Sequence, residues 1–179
     1  QFASLKYAIV GAEKLKKNLA KAFYEKYGIL PLEGYGATEL SPVVSMGIPD
    51  YISEDKKVKQ VGYKEGKVGH PLPNIAVKVV NPDTNEMLPT NEAGMLLVKG
   101  ANVMKGYLNN EEKTFEVIKD GWYITGDIAT IDEDGFICIT DRLSRFSKIA
   151  GEMVPHVKIE EMINEILRKE EQTCVVTSV

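Results

Sequence analysis

The apolar positions along the chain change character twice, near residue 61 and again after Arg142. Residues 7–10, YAIV, form a short apolar run suited to a buried strand. The stretch that follows, GAEKLKKNLAKAFYEKYG, places Leu15, Leu19, Ala22 and Phe23 at helical spacing and meets Gly28, a natural C-terminal stop. ILPLEG then returns to extended chain. Strand, helix and strand in that order predict a βαβ unit of a parallel sheet, whose ligands bind where the strands reach their carboxyl ends. GYGATE, residues 34–39, lies at that place, just after the second strand.

Between about residues 61 and 140 the helical period fades. Short β-rich runs alternate with turn residues: IAVKVVNPDTNEMLP, GMLLVKG and WYITGDIATIDEDGFICIT. NPDTNE and DEDG have turn chemistry, the second that of a hairpin. Residues 111–118, EEKTFEVI, predict one short helix. The region reads as a small, mainly antiparallel unit. After Arg142, VKIEEMINEILRKEE carries Ile159, Met162, Ile163 and Ile166 at helical spacing, and a strand-like apolar tail follows it. That tail, and a beginning without methionine, lead us to expect a piece of a longer polypeptide.

Composition changes this picture little. The 179 residues are 44% hydrophobic and 27% charged with a net charge of -4, so there is enough chain to bury a core. Charges of both signs are spread along the chain, which argues against nucleic acid as a partner. Cys138 and Cys174 have no CxxC partner and no clustered histidines, and read as free thiols of a reducing compartment. No apolar run approaches the length of a membrane span.

Three stretches can carry chemistry. In GYGATE, the Tyr35 ring can stack on a planar base while Gly36 lets a ligand approach the backbone. Thr38 can donate to a phosphate and Glu39 can hold a divalent cation. The plain alternative is a glycine turn in which Thr38 caps a helix start. In WYITGD, Asp127 follows a glycine at the end of an expected strand and could accept hydrogen bonds from ribose hydroxyls; taken alone, the motif favours a plain turn residue. In ITDRLSRFSKIAGEMVP, Arg142, Arg145 and Lys148 could pair with a phosphate or ribose, or belong to a solvated linker.

In this order and spacing, GYGATE, WYITGD and GFICITDRLSRFSKIAGEMVPHVKIEE resemble the adenylate-forming acyl-activating superfamily, which includes acyl-CoA synthetases, luciferases and the adenylation domains of peptide synthetases. GAEKL, LEGYGATELSPVVS and DRLSRFSKIAGEMV are most similar to the synthetase portion of bacterial acyl-acyl carrier protein synthetase/2-acylglycerophosphoethanolamine acyltransferase. The resemblance implies an α/β fold, with a βαβ portion of a mixed sheet, a small antiparallel β subdomain and the start of a small α+β C-terminal domain. Residues 1–60 would be the C-terminal part of the large nucleotide-binding domain, 61–140 the β-rich subdomain, 141–144 a hinge and 145–179 the truncated start of a lid domain.

The resemblance also implies roles. Gly11, Ala12 and Glu13 would pack against adenine, Tyr35 would stack on it beside Gly36, and Thr38 would bond the α-phosphate. Glu39 would bind magnesium. Asp127 would hold the ribose hydroxyls, with Ile139 beside the nucleotide and Arg142 reaching the ribose. Lys148 and Gly151 would approach the pantetheine side, Lys148 as a catalytic group alongside Thr38 and Glu39. The implied parent uses ATP, passing through AMP-bound states, with Mg2+, a fatty acid, and the pantetheine thiol of acyl carrier protein or CoA; it would work in the cytoplasm, at the inner-membrane face in the branch named above. Departures from the family pattern lead us to expect an inactive fragment. No serine- and threonine-rich phosphate loop precedes Thr38, the adenylating lysine would lie past Val179, and Ser144 stands two residues beyond Arg142. The competing reading is a non-catalytic module that keeps only an AMP floor.

Overall fold

A computed structural model of the chain describes residues 4–149, 152–168 and 173–177. Strand β1 (Ala8–Val10), helix α1 (Lys17–Tyr27) and strand β2 (Pro31–Gly36) form the expected βαβ unit, with β1 and β2 parallel and Ile9 opposite Leu32. Gly28 ends α1 in the left-handed conformation, φ 68°, and its amide donates to the Tyr24 carbonyl at 2.8 Å. Leu15 falls before the helix; its amide instead donates to the buried Glu33 carboxylate at 3.1 Å.

Strand β2 runs further than its sequence suggests. Gly34, Tyr35 and Gly36 are strand, because β3 (Val43–Met46) returns antiparallel beside them and pairs Gly34 with Met46 and Tyr35 with Ser45. A small hairpin follows, β4 (Tyr51–Ile52) against β5 (Lys59–Gln60). Strand β6 (His70–Pro71) then adds to β3, completing a four-stranded sheet in the order β1-β2-β3-β6.

The second sheet is the expected antiparallel unit. It contains β7 (Ile75–Val80), β8 (Gly94–Gly100), β9 (Ile118–Lys119), β10 (Trp122–Ile131) and β11 (Ile137–Arg142), in the order β11-β10-β8-β7 with β9 on β10. Both predicted turns form by side-chain capture of backbone amides. Asn81 Oδ1 accepts from Asp83 and Thr84, while Asp132 Oδ1 accepts from Asp134 and Phe136. The predicted short helix is α2 (Glu111–Val117), with Asn110 accepting from the Lys113 amide as its cap and Glu111 and Glu112 in the first turn.

One core joins the two sheets. Val44 of the first, with Leu40 from the turn between β2 and β3, packs with Val79, Leu96, Val98, Tyr123, Ala129 and Ile137 of the second. Residues 61–69 strap the sheets together: Val68 donates to the Ile137 carbonyl at 2.8 Å, Ile137 donates to the Gly69 carbonyl at 3.0 Å, and Lys64 and Lys67 reach Asp132 at 2.7 and 3.1 Å.

Past Arg142 come a 3-10 turn (Leu143–Arg145), a hairpin of β12 (Phe146–Ile149) and β13 (Glu152–Pro155), and helix α3 (His156–Ile166). The helix is as predicted; the hairpin was hidden by its mixed polar and apolar sequence. The strand expected in the tail does not form over 173–177. A strand needs a neighbour for its backbone groups, and here the helix's side chains take them instead. Thr173 donates its amide to Asn164 Oδ1 and Val176 donates to Glu160 Oε1 at 2.7 Å.

Candidate nucleotide site

After Gly36 the chain makes a 3-10 turn, Thr38–Leu40, and closes it with Ser41 at φ 53°. Thr38 is exposed and no side chain caps the turn, so the capping alternative for Thr38 is not what the structure adopts. Leu40, fully buried, pins the turn into the core between the sheets. Gly36 is required by this path: a Cβ there would lie 1.8 Å from the Pro42 carbonyl oxygen. Its missing side chain makes room for the chain's own return, in addition to whatever a ligand needs.

Asp127 is not at a strand end. It lies within β10, buried, where the strand's pairing with β8 breaks: Ile124 faces Leu97 and Ile128 faces Met95, four residues advancing against two. Gly126, at φ 76°, supplies the left-handed backbone for this bulge. Thr125 stabilises it by donating to the Leu96 carbonyl at 2.8 Å and accepting from the Asp127 amide at 3.0 Å. The bulge re-aims Asp127 toward the first sheet. There the Tyr35 hydroxyl donates to Asp127 Oδ2 at 2.5 Å.

Arg142 completes the group. It faces Asp127 across β10 and β11, with Nε 3.3 Å from Asp127 Oδ1 and the rest of its side chain 71% exposed. Ile139, three residues earlier, packs at the margin of the core opposite Ala129. Burial pushes the Asp127 carboxyl above the usual carboxylate range, while the Tyr35 hydroxyl and then the Arg142 charge oppose that rise. Burial, followed by the charge of Asp127, drives the Tyr35 phenol far upward, so it stays a protonated donor at neutral pH. Each carboxylate oxygen of Asp127 has a second lone pair left for a hydroxyl.

Gly11, Ala12 and Glu13 form an exposed loop at the carboxyl end of β1, with Ala12 at φ 71° and the Cβ direction of Gly11 facing the Gly34 carbonyl at 3.6 Å. The loop therefore lies beside Gly34, next to Tyr35 on β2, although no hydrogen bond or ion pair joins it to Tyr35 among the described residues. Lys148 lies in β12 opposite Met153, its side chain not described, and Gly151 lies outside the described residues.

Glu39 is half-buried. Its Oε1 accepts from the Tyr107 hydroxyl at 2.8 Å, an interaction no sequence period announces. Sequence reasoning also missed Thr125 and Tyr123. The available signal was a lone tyrosine beside a glycine in the KGY loop between strand and helix, where functional residues concentrate. Among the described residues no three of His, Cys, Asp and Glu gather as a metal cluster. A lone carboxylate suits a magnesium ion held mainly by phosphate oxygens, and Glu39 fits that donor set.

The AMP-binding enzyme family matches residues 1–108. The chain belongs to this family. It is 39% identical over 162 residues to the long-chain-fatty-acid–CoA ligase of Salmonella typhimurium, covering 90% of this chain and 27% of that one. It is also 39% identical to a probable 4-coumarate–CoA ligase of Dictyostelium discoideum, covering 90% of this chain and 28% of its relative. The crystal structure of ATP-bound MatB from Rhodopseudomonas palustris superposes with a TM-score of 0.74 at 33% identity, over 88% of this chain and 29% of that one. The chain thus spans a little over a quarter of the length of the curated relatives it matches. The fold is that of the adenylate-forming enzymes, as the sequence resemblance implied.

Proposed function

We propose that this chain carries the nucleotide floor of an ATP-dependent acyl-activating ligase. The observation that carries the reading is the convergence of Tyr35, Asp127 and Arg142, from three strands, beside the Thr38–Glu39 turn. In the full-length protein a fatty acid's carboxylate attacks the α-phosphate of ATP, pyrophosphate leaves, and an acyl-adenylate remains. A pantetheine thiol, of CoA or acyl carrier protein, then displaces AMP and takes the acyl group as a thioester. The CoA-ligase names of the relatives support this class of reaction; the fatty acid, the carrier protein and a cytoplasmic location at the inner-membrane face rest on the sequence resemblance.

The residues divide the work by their chemistry. Tyr35 presents a ring held rigid by its bond to Asp127, a floor for the base. Asp127 accepts from the ribose hydroxyls, and Arg142 neutralises its buried charge. The Gly11–Glu13 loop flanks the base, and Ile139 lies beside it. Thr38, exposed and uncapped, has its hydroxyl available for the α-phosphate. Magnesium held at Glu39 supplies charge neutralisation to the phosphates. Lys148, on β12 past the Arg142 hinge, and Gly151 serve the pantetheine side. No side-chain nucleophile is needed, because substrate supplies the attacking oxygen and then the sulfur.

The isolated chain has a floor without the hydroxyl-rich phosphate loop or the adenylating lysine of the family, so we expect AMP binding without turnover. Calorimetric titration with AMP should give binding that weakens in Tyr35→Ala and Asp127→Ala. No binding at all would overturn the floor reading. Pyrophosphate exchange into ATP above background would overturn the expected inactivity.

A further inference from the structure

We infer that Tyr107 is a positioning residue for Glu39, fixing the orientation of the carboxylate that meets a divalent cation on the nucleotide phosphates; this rests on the reading of Glu39 proposed above. The loop at residues 102–107 holds the turn at three points. Asn102 Nδ2 donates to the Leu40 carbonyl at 2.9 Å, the Met104 amide donates to the Glu39 carbonyl at 2.8 Å, and the Tyr107 hydroxyl donates to Glu39 Oε1 at 2.8 Å. The first two ties, with fully buried Leu40, already fix the backbone. The third acts on the side chain alone. It leaves Oε2 with no hydrogen bond from the described residues.

Tyr107 is itself braced. Its amide donates to Thr114 Oγ1 at 2.9 Å, and that hydroxyl donates to the Asn110 carbonyl at 2.9 Å, which ties the loop to the first turn of α2. Gly106 leaves room for the Thr114 side chain, since a Cβ there would lie 2.8 Å from Thr114 Cγ2. Tyr123, buried in the core, interacts with both Tyr107 and Glu39. A carboxylate that is free to rotate spreads its charge over several orientations. One with a single oxygen engaged presents the other in a fixed direction, which is how hydrogen bonds behind a metal ligand sharpen its affinity.

The test measures Mn2+ binding in the presence of ATP, by electron paramagnetic resonance of the free ion, alongside calorimetry with AMP in metal-free buffer and thermal unfolding. Tyr107→Phe keeps the ring and removes only the hydroxyl. It should weaken Mn2+–ATP binding about tenfold while metal-free AMP affinity and unfolding temperature hold. Thr114→Val, which loosens the brace and spares the tyrosine, should move the same metal readout in the same direction by less. Unchanged Mn2+–ATP affinity in Tyr107→Phe, or an equal fall in AMP and Mn2+–ATP affinity, would overturn the inference. If Glu39→Gln binds Mn2+–ATP like the unaltered chain, or the chain does not bind Mn2+–ATP, the Glu39 reading falls and the inference with it. Dependence on Glu39 without dependence on Tyr107 removes the inference alone.

Discussion

The parallel βαβ unit and the antiparallel meander are both written in clear apolar patterns, yet they end in opposite environments. Strands β8 and β10 bury Leu96, Val98, Ile128 and Ala129 at 0–2% exposure, whereas α1 buries no residue and Leu19 is 61% exposed. Ile9 of β1 is likewise exposed. Amphipathic spacing therefore specifies an element and the face it offers, but not the surface that covers that face. The candidate nucleotide site lies on the seam between these regions, where Tyr35 meets Asp127 and Glu39 meets Tyr107.

Four substitutions would break or sharpen this contrast. The largest effect belongs to Leu40→Ala, which opens a cavity where the Thr38–Leu40 turn enters the shared core; a loss of about 2–5 kcal/mol is expected by urea unfolding. Next is Asp132→Ala, which cuts the strap over the β10–β11 hairpin at an expected cost of about 2–4 kcal/mol. Although burial raises the Asp132 carboxyl, the Lys64 ammonium, the Phe136 amide and Lys67 together hold it well below its ordinary 3.8. A depressed carboxylate contributes stability that is present above the unfolded value and lost as pH falls through the folded one. The unaltered chain should thus lose stability below about pH 4, and Asp132→Ala should flatten that part of the urea-midpoint profile. An unflattened profile would place the acid sensitivity elsewhere.

Tyr35→Phe comes third. Removing the donor to a buried carboxylate should cost about 1–2 kcal/mol and raise the Asp127 carboxyl further, a shift followed by carbon NMR of the side chain; AMP affinity should fall less than in Tyr35→Ala. A lowered Asp127 value would contradict the assigned hydrogen bond. Smallest is Leu19→Ala on the uncovered helix face, expected within about 0.5 kcal/mol of the unaltered chain. A loss there as large as that of Leu40→Ala would erase the contrast between the two regions.

Much of the fold was legible because its signals are local. Gly28 stops α1, Asn110 caps α2, and Asn81 and Asp132 build their turns from amides within four residues. Hairpin β12–β13 was not legible, because its polar and apolar residues follow no clean alternation and its pairing alone makes it a sheet. The tail at 173–177 failed in the opposite sense, since apolar residues without a paired neighbour gave no strand. Of the site, the residue types and their order could be read, and Tyr35, Glu39, Asp127 and Arg142 were named from motifs. Their bonding could not be, and Tyr107 was not singled out.

The sequence by itself determined the βαβ unit, the helices, the main antiparallel strands and the residue types of the Thr38–Leu40 turn, because helical period, caps and turn residues act over a few positions. Only the tertiary structure decided which groups meet. Tyr35 and Asp127 are 92 residues apart, and Glu39 and Tyr107 are 68 apart. Those meetings depend on a two-residue register break at Gly126 and on Leu40 locking one sheet against the other. A bulge turns a side chain toward a new partner without changing the apolar period around it, so the pattern that specifies a strand does not encode where its carboxylate points.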